Sequence, residues 1–149
     1  MKIMVINGPN LNMVGIREKG IYGSRSFEEI CRALEEEGHR RGHTLSLFQS
    51  NSEGEIIDCI HRSYFEHYDG IIINPGAYTH YSYAIYDALK AIAPIPAVEV
   101  HLSDISARDE FRKVSVTAPA CIAQIAGKGE AGYALAMDAL EQQSGEKRE

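Results

Sequence analysis

Cysteine is scarce in this chain: 3 residues among 149, at positions 31, 59 and 121. They form no CxxC pair and no Cys/His zinc spacing. That excludes a disulfide framework or a zinc ribbon and leaves buried free thiols of a reducing compartment as the expectation. No apolar run approaches the ~20 residues of a membrane span. A strand-like run begins at once with Lys2, so no signal peptide is expected and the chain is expected in the cytoplasm. Positive charge is in deficit, 15 Lys+Arg against 21 Asp+Glu for a net charge of −6. That balance argues against a nucleic acid or an anionic membrane as partner. Basic residues can still hold a small anion locally, because a site's field is set by its neighbours. Neither a GxxxxGK phosphate loop nor a GxGxxG dinucleotide turn occurs. Carboxylates near the polar motifs are too few, and the histidines too scattered, for a metal cage, so neither metal nor cofactor is expected.

With 44% hydrophobic and 24% charged residues, the composition is that of an ordinary globular protein. The length suits one domain over residues 1–149, burying roughly 70% of its unfolded surface, and no linker or low-complexity segment divides it. Apolar runs at 2–7, 44–49, 70–74, 96–101 and 121–126 are short, rich in aliphatic side chains and apolar on both faces, as parallel strands covered by helices should be. Ser26-Phe-Glu-Glu29 and Ser52-Glu-Gly-Glu55 are capping boxes, predicting helices over 26–41 and 54–66. Further helices are predicted over 81–92, ended by Pro94 and Pro96, and over 130–143, with a frayed polar tail at 144–149. Five strands interleaved with four helices in this way predict an α/β fold, a flavodoxin-like doubly wound five-stranded parallel sheet.

Three polar clusters follow predicted strands. Asn10, Asn12, Arg17 and Tyr22 come after the first, Asn74 to His80 after the third, and Glu99, His101 and Ser103 end the fourth, with Arg108 and Arg112 beyond. Were strands one, three and four neighbours, their carboxyl ends would bring these groups together, where open α/β sheets bind ligands. Glu99 and His101 are two apart on one strand and so share a face, where the acid can orient the ring. The segment 13–24 is long for a βα connection and reads as an active-site lid hinged by glycines.

Taken in order, NGPNLNMVGIREKGIYG (7–23), INPGAYTH (73–80), YDAL (86–89), IPAVEVHLSDI (95–105) and FR (111–112) resemble the type II 3-dehydroquinate dehydratases, from residue 2 to about 140. The resemblance implies a lyase of the shikimate pathway that removes water reversibly from 3-dehydroquinate through an enolate, giving 3-dehydroshikimate. In that pattern Tyr22 abstracts the proton α to the ketone. A phenol ordinarily loses its proton near pH ~10, and the permanent cation of Arg17 would bring that down. Asn12 stabilises the enolate, His101 protonates the departing hydroxyl and Glu99 orients His101. Asn74 and His80 meet substrate hydroxyls, the Leu102–Ser103 amides and the Ser103 hydroxyl receive the carboxylate, and Arg112 binds a ring hydroxyl. Asp87 reaches a neighbouring subunit's site, consistent with a homo-oligomer, a dodecamer built as a tetramer of trimers.

Ile16, Tyr81, Asp104 and Ser106 depart from the Thr, Thr, Asn and His often found in that family; Tyr81 and Asp104 bear on affinity. The rival reading is a non-catalytic flavodoxin-like small-molecule binding module. A signalling receiver would want paired acids where Asn7-Gly8 stands, and a flavin module a Ser/Thr/Gly-rich phosphate loop. A Schiff-base dehydratase would want a lysine at the carboxyl end of a core strand, and none of Lys2, Lys19, Lys90, Lys113, Lys128 and Lys147 is so placed.

Overall fold

The strands align as one parallel sheet of order β2-β1-β3-β4-β5, formed by β1 (Lys2–Asn7), β2 (Thr44–Gln49), β3 (Gly70–Asn74), β4 (Ala97–His101) and β5 (Ala123–Ala126). The structure is a computed structural model, and it describes residues 1–16 and 25–147. Four helices flank the sheet: α1 (Phe27–Arg40), α2 (Glu53–Phe65), α3 (Tyr83–Ala91) and α4 (Ala131–Glu146).

The period-two alternation of the strands sorts the core into two layers. Ile3, Val5, Ile72, Val98 and Val100 face Ile30 and Leu34 of α1 and Tyr133, Met137 and Leu140 of α4. Met4, Ile6, Ile71 and Ile73 face Ile56 and Ile60 of α2 and Ile85 and Leu89 of α3. Helices thus cover both sides, which is the doubly wound arrangement. Because the chain runs from β1 outward to β2 and then returns through β3, β4 and β5, the switch point lies between β1 and β3. Their register sets Asn7 against Asn74, and that of the next pair sets Ile73 against Glu99.

Element ends differ from the sequence reading for local reasons. The capping boxes are half formed: Ser26 Oγ and Ser52 Oγ accept from the amides of Glu29 and Glu55 at 3.2 and 3.3 Å. The Glu55 carboxylate instead accepts from the Ser50 hydroxyl. α3 starts at Tyr83 rather than 81, because Ser82 caps it by accepting from Ile85 N at 3.0 Å. β4 begins at Ala97, after Pro96, which has no N–H to give the ladder. β5 begins at Ala123, since Pro119 lies in a 3-10 turn over Ala118–Ala120. α4 continues to Glu146, with Gln142 Nε2 donating to Glu146 Oε1 at 3.3 Å, so the expected tail is helical up to that residue.

One connection has no α-helix: β4 and β5, between which none of the four predicted helices falls, are joined by three 3-10 turns, Ile105–Ala107, Glu110–Arg112 and Ala118–Ala120. The connecting residues spend their polar side chains on turns and on Glu99: Asp104 Oδ1 accepts from Ser106 N at 2.9 Å, and Ser115 Oγ from Ala118 N at 3.0 Å. Such side-chain bonds to backbone compete with a helix.

Candidate active site

The carboxyl ends of β1, β3 and β4 meet, as the three clusters required, around a cavity of about 150 Å³. Asn10, Asn74, His80, His101, Ser103, Arg108 and Arg112 supply its polar lining, and no carboxylate lines it among the described residues. Two guanidiniums and two imidazoles therefore converge in a protein of net charge −6. The cavity suits a small polar anion.

Backbone geometry positions the first two walls. Gly8 N donates to the Asn74 carbonyl at 2.8 Å, tying the loop after β1 to the end of β3. A side chain at Gly8 would put a Cβ 2.7 Å from the Pro75 carbonyl oxygen, so only glycine allows this approach. Asn74 is buried, and its Oδ1 accepts from Gly76 N at 3.1 Å, forming the Asx turn into the next segment. His80 sits at the end of that segment. Its Nδ1 lies 2.7 Å from the Val114 carbonyl oxygen, which can only accept, so Nδ1 carries the proton.

The third wall is the end of β4. His101 Nε2 lies 3.0 Å from Glu99 Oε2, with Glu99 wholly inaccessible and His101 nearly so. Burial is the largest influence on the Glu99 carboxyl and pushes it up. Hydrogen bonds from His101, Thr117 and Gln124, with the charge of His101, together outweigh it and hold the group at about 2. Glu99 is an anion across the working range. Since a carboxylate accepts, His101 donates through Nε2, which leaves Nδ1 as its second ring nitrogen.

Not every expected residue joins the cavity. Arg17 and Tyr22, with the rest of 17–24 of the expected lid, lie outside the described residues. Asn12 is exposed and absent from the cavity wall; its Oδ1 accepts from Gln49 Nε2 at 3.4 Å. Asn10 takes a left-handed φ of 68° in the turn after β1 and lines the cavity. Leu102, Ser103 and Arg112 line it as expected. Asp87 is exposed on α3, away from the wall. Asp104 is also outside: its carboxylate takes the Ser106 hydroxyl at 2.6 Å and is held below the usual range by the Ser106 hydroxyl and amide. Tyr81 is 60% exposed, edge-on to Tyr78, and does not reach the cavity. Both departures thus fall outside the wall.

Sequence reasoning missed the groups behind the wall. Thr79, Ser115, Thr117 and Gln124 all bond Glu99, and Gln49 with Asn51 braces the loop that carries Asn10 and Asn12. The only signal for the former was Ser115-Val-Thr117, two hydroxyls at strand spacing.

Fold and cavity define a flavodoxin-like protein with a cationic, histidine-bearing anion site at its switch point. The family model described as Dehydroquinase class II matches residues 1–141, and the chain belongs to that family. It is 71% identical over 141 residues to the 3-dehydroquinate dehydratase of Clostridium beijerinckii, covering 95% of this chain and 96% of the relative. It is 59% identical to that of Caldicellulosiruptor bescii, over 95% of this chain and 97% of the relative. Among solved structures, the type II dehydroquinase from Butyrivibrio crossotus superposes with a TM-score of 0.93 at 52% identity, covering 95% of this chain and 97% of that one.

Proposed function

We infer that this chain is a 3-dehydroquinate dehydratase, a lyase that interconverts 3-dehydroquinate and 3-dehydroshikimate with loss or gain of water in the shikimate pathway. The observation that carries the reading is the buried Glu99–His101 pair opening on a cationic cavity, in a chain of this family.

The reaction is proposed to run without metal or cofactor. Tyr22, as phenolate favoured by Arg17, takes the proton α to the ketone. The electron pair moves onto the carbonyl oxygen as an enolate, stabilised by Asn12 through a water it orients from its place outside the cavity wall. When the enolate collapses, the β C–O bond breaks and the imidazolium of His101 gives its Nδ1 proton to the leaving hydroxyl, releasing water. Proton exchange with solvent then resets phenolate and imidazolium. Asn74 and His80 hold ring hydroxyls, Leu102 and Ser103 the carboxylate, and Arg112 a further hydroxyl. The described cationic wall supports an anionic substrate, and the exposure of Asp87 is compatible with its reaching a neighbouring subunit of a dodecamer, a tetramer of trimers.

The test is the rise in ultraviolet absorbance of the conjugated enone when purified protein meets 3-dehydroquinate. The rise is expected to persist with chelator and after borohydride treatment in the presence of substrate. No rise from folded protein would overturn the reading in favour of a binding module. Loss of activity on borohydride trapping would point to a Schiff base instead.

A further inference from the structure

The Glu99 carboxylate is the most heavily bonded group in the described residues, and its partners come from its own strand and three other segments. Oε2 faces His101 Nε2 at 3.0 Å, Gln124 Nε2 at 2.8 Å and Ser115 Oγ at 2.8 Å. Oε1 faces Thr79 Oγ1 at 3.1 Å and the Thr117 hydroxyl. A carboxylate offers about four acceptor sites, so these donors saturate it. Two of the three groups at Oε2 are N–H donors with no lone pair to offer, so a proton on Oε2 could be directed only at the Ser115 hydroxyl.

The three hydroxyls also touch one another. Thr79 Oγ1 lies 2.7 Å from Thr117 Oγ1 and 2.8 Å from Ser115 Oγ. Each hydroxyl has one proton, so protons aimed at the anion and protons within the triangle must be arranged together. Removing one hydroxyl disturbs the hold of the other two. The titratable groups facing Glu99 are His101 on β4 and the Cys121 thiol before β5, which burial first and the Glu99 charge second push up to about 12. Cys121 is therefore neutral and offers no compensating charge.

We propose that Thr79, Ser115, Thr117 and Gln124 are positioning residues for the dehydration: they keep Glu99 a fixed anion, and Glu99 thereby fixes which nitrogen His101 turns to the substrate. None of the four lines the cavity. The inference rests on the proposed dehydratase reading for its consequence, and on the described bonds for its cause.

The test pairs a direct titration with kinetics. Protein labelled with carbon-13 at the glutamate carboxyls is titrated from about pH 8 to about pH 3, in wild type and Thr117→Val. The Glu99 signal is expected to stay flat in wild type. In Thr117→Val a titration step should appear, moved up by about one pH unit or more. The acid-side fall in kcat should move up with it, and Thr117→Ser should restore both. A lower kcat with neither the Glu99 signal nor the acid limb displaced would overturn the proposal, as would wild-type kinetics in the variant. Gln124→Leu, on the edge strand β5, gives the same reading if Thr117→Val does not fold. The carbon titration reads the hold on Glu99 even in a protein that does not turn over 3-dehydroquinate, so inactive wild type would count against the dehydratase reading alone.

Discussion

His80 Nδ1 donates to the carbonyl oxygen of Val114 at 2.7 Å, fastening the turn after β3 to the β4–β5 connection. Nε2 of the same ring is then its accepting nitrogen, and the ring lines the cavity. Phe111 meets His80 edge-on with centroids 6.2 Å apart, so the ring is held from two sides. His80→Ala is expected to raise KM for 3-dehydroquinate by about tenfold, the worth of one good hydrogen bond, with a smaller change in kcat. Steady-state kinetics that leave KM unchanged would remove His80 from the substrate's contacts.

Arg112 pairs with Asp109 at 3.3 Å and lies over the Phe111 ring at 4.6 Å. Lysine would keep the charge and lose the planar fork. Arg112→Lys should raise KM by about tenfold or more, with the thermal midpoint nearly unchanged. An equal loss in a variant that also melts early would mean the effect is structural.

Tyr22→Phe should abolish nearly all turnover while substrate still binds, because the proposed base loses only its hydroxyl. Calorimetric binding beside the absorbance assay separates the two. Substantial remaining activity would sink the assignment.

Glu99 also makes stability depend on pH. Its carboxyl lies at about 2 in the folded protein against the ordinary 4.5, so the folded state favours the anion. The stabilisation is complete above the ordinary value and drains away as pH falls from there toward the folded value, an effect of order ~3 kcal/mol. Denaturant melts of Glu99→Gln should show a weaker dependence across that acid window than wild type. Parallel curves would refute it.

Tyr133, fully buried on α4, donates its hydroxyl to Asn7 Oδ1 at the end of β1. Burial pushes the phenol up, so it remains a donor at any working pH. Tyr133→Phe leaves the buried Asn7 amide oxygen without that donor and should cost about 1–3 kcal/mol in chemical denaturation. No loss would show that Asn7 finds another partner.

Much of the architecture was legible because neighbours along the chain decide it. Ile71-Ile72-Ile73 is apolar on both faces, which only a strand covered on both sides can use. Ser26 and Ser52 cap their helices from positions adjacent to them. Glu99 and His101 share a face simply through the period of a strand, and the motifs fell on the carboxyl ends of β1, β3 and β4. Where an element's end depended on Ser82, Pro96 or Pro119, the reading slipped by one or two residues.

Other features had no such local cause. The β4–β5 connection lacks a helix because its hydroxyls and carboxylates bond turns and Glu99, and nothing in the spacing of those residues announces a buried anion to serve. Asn10 rather than Asn12 faces the cavity because the chain takes a left-handed step at Asn10 and Gln49 holds Asn12 outside. Periodicity and capping are settled within a few residues of chain, so the amino-acid sequence by itself determined the sheet, its helices and the pairing of acid with imidazole. The partners of a buried charge are settled by which strands lie side by side, and only the tertiary structure decided that Thr79, Ser115, Thr117 and Gln124 would close around Glu99.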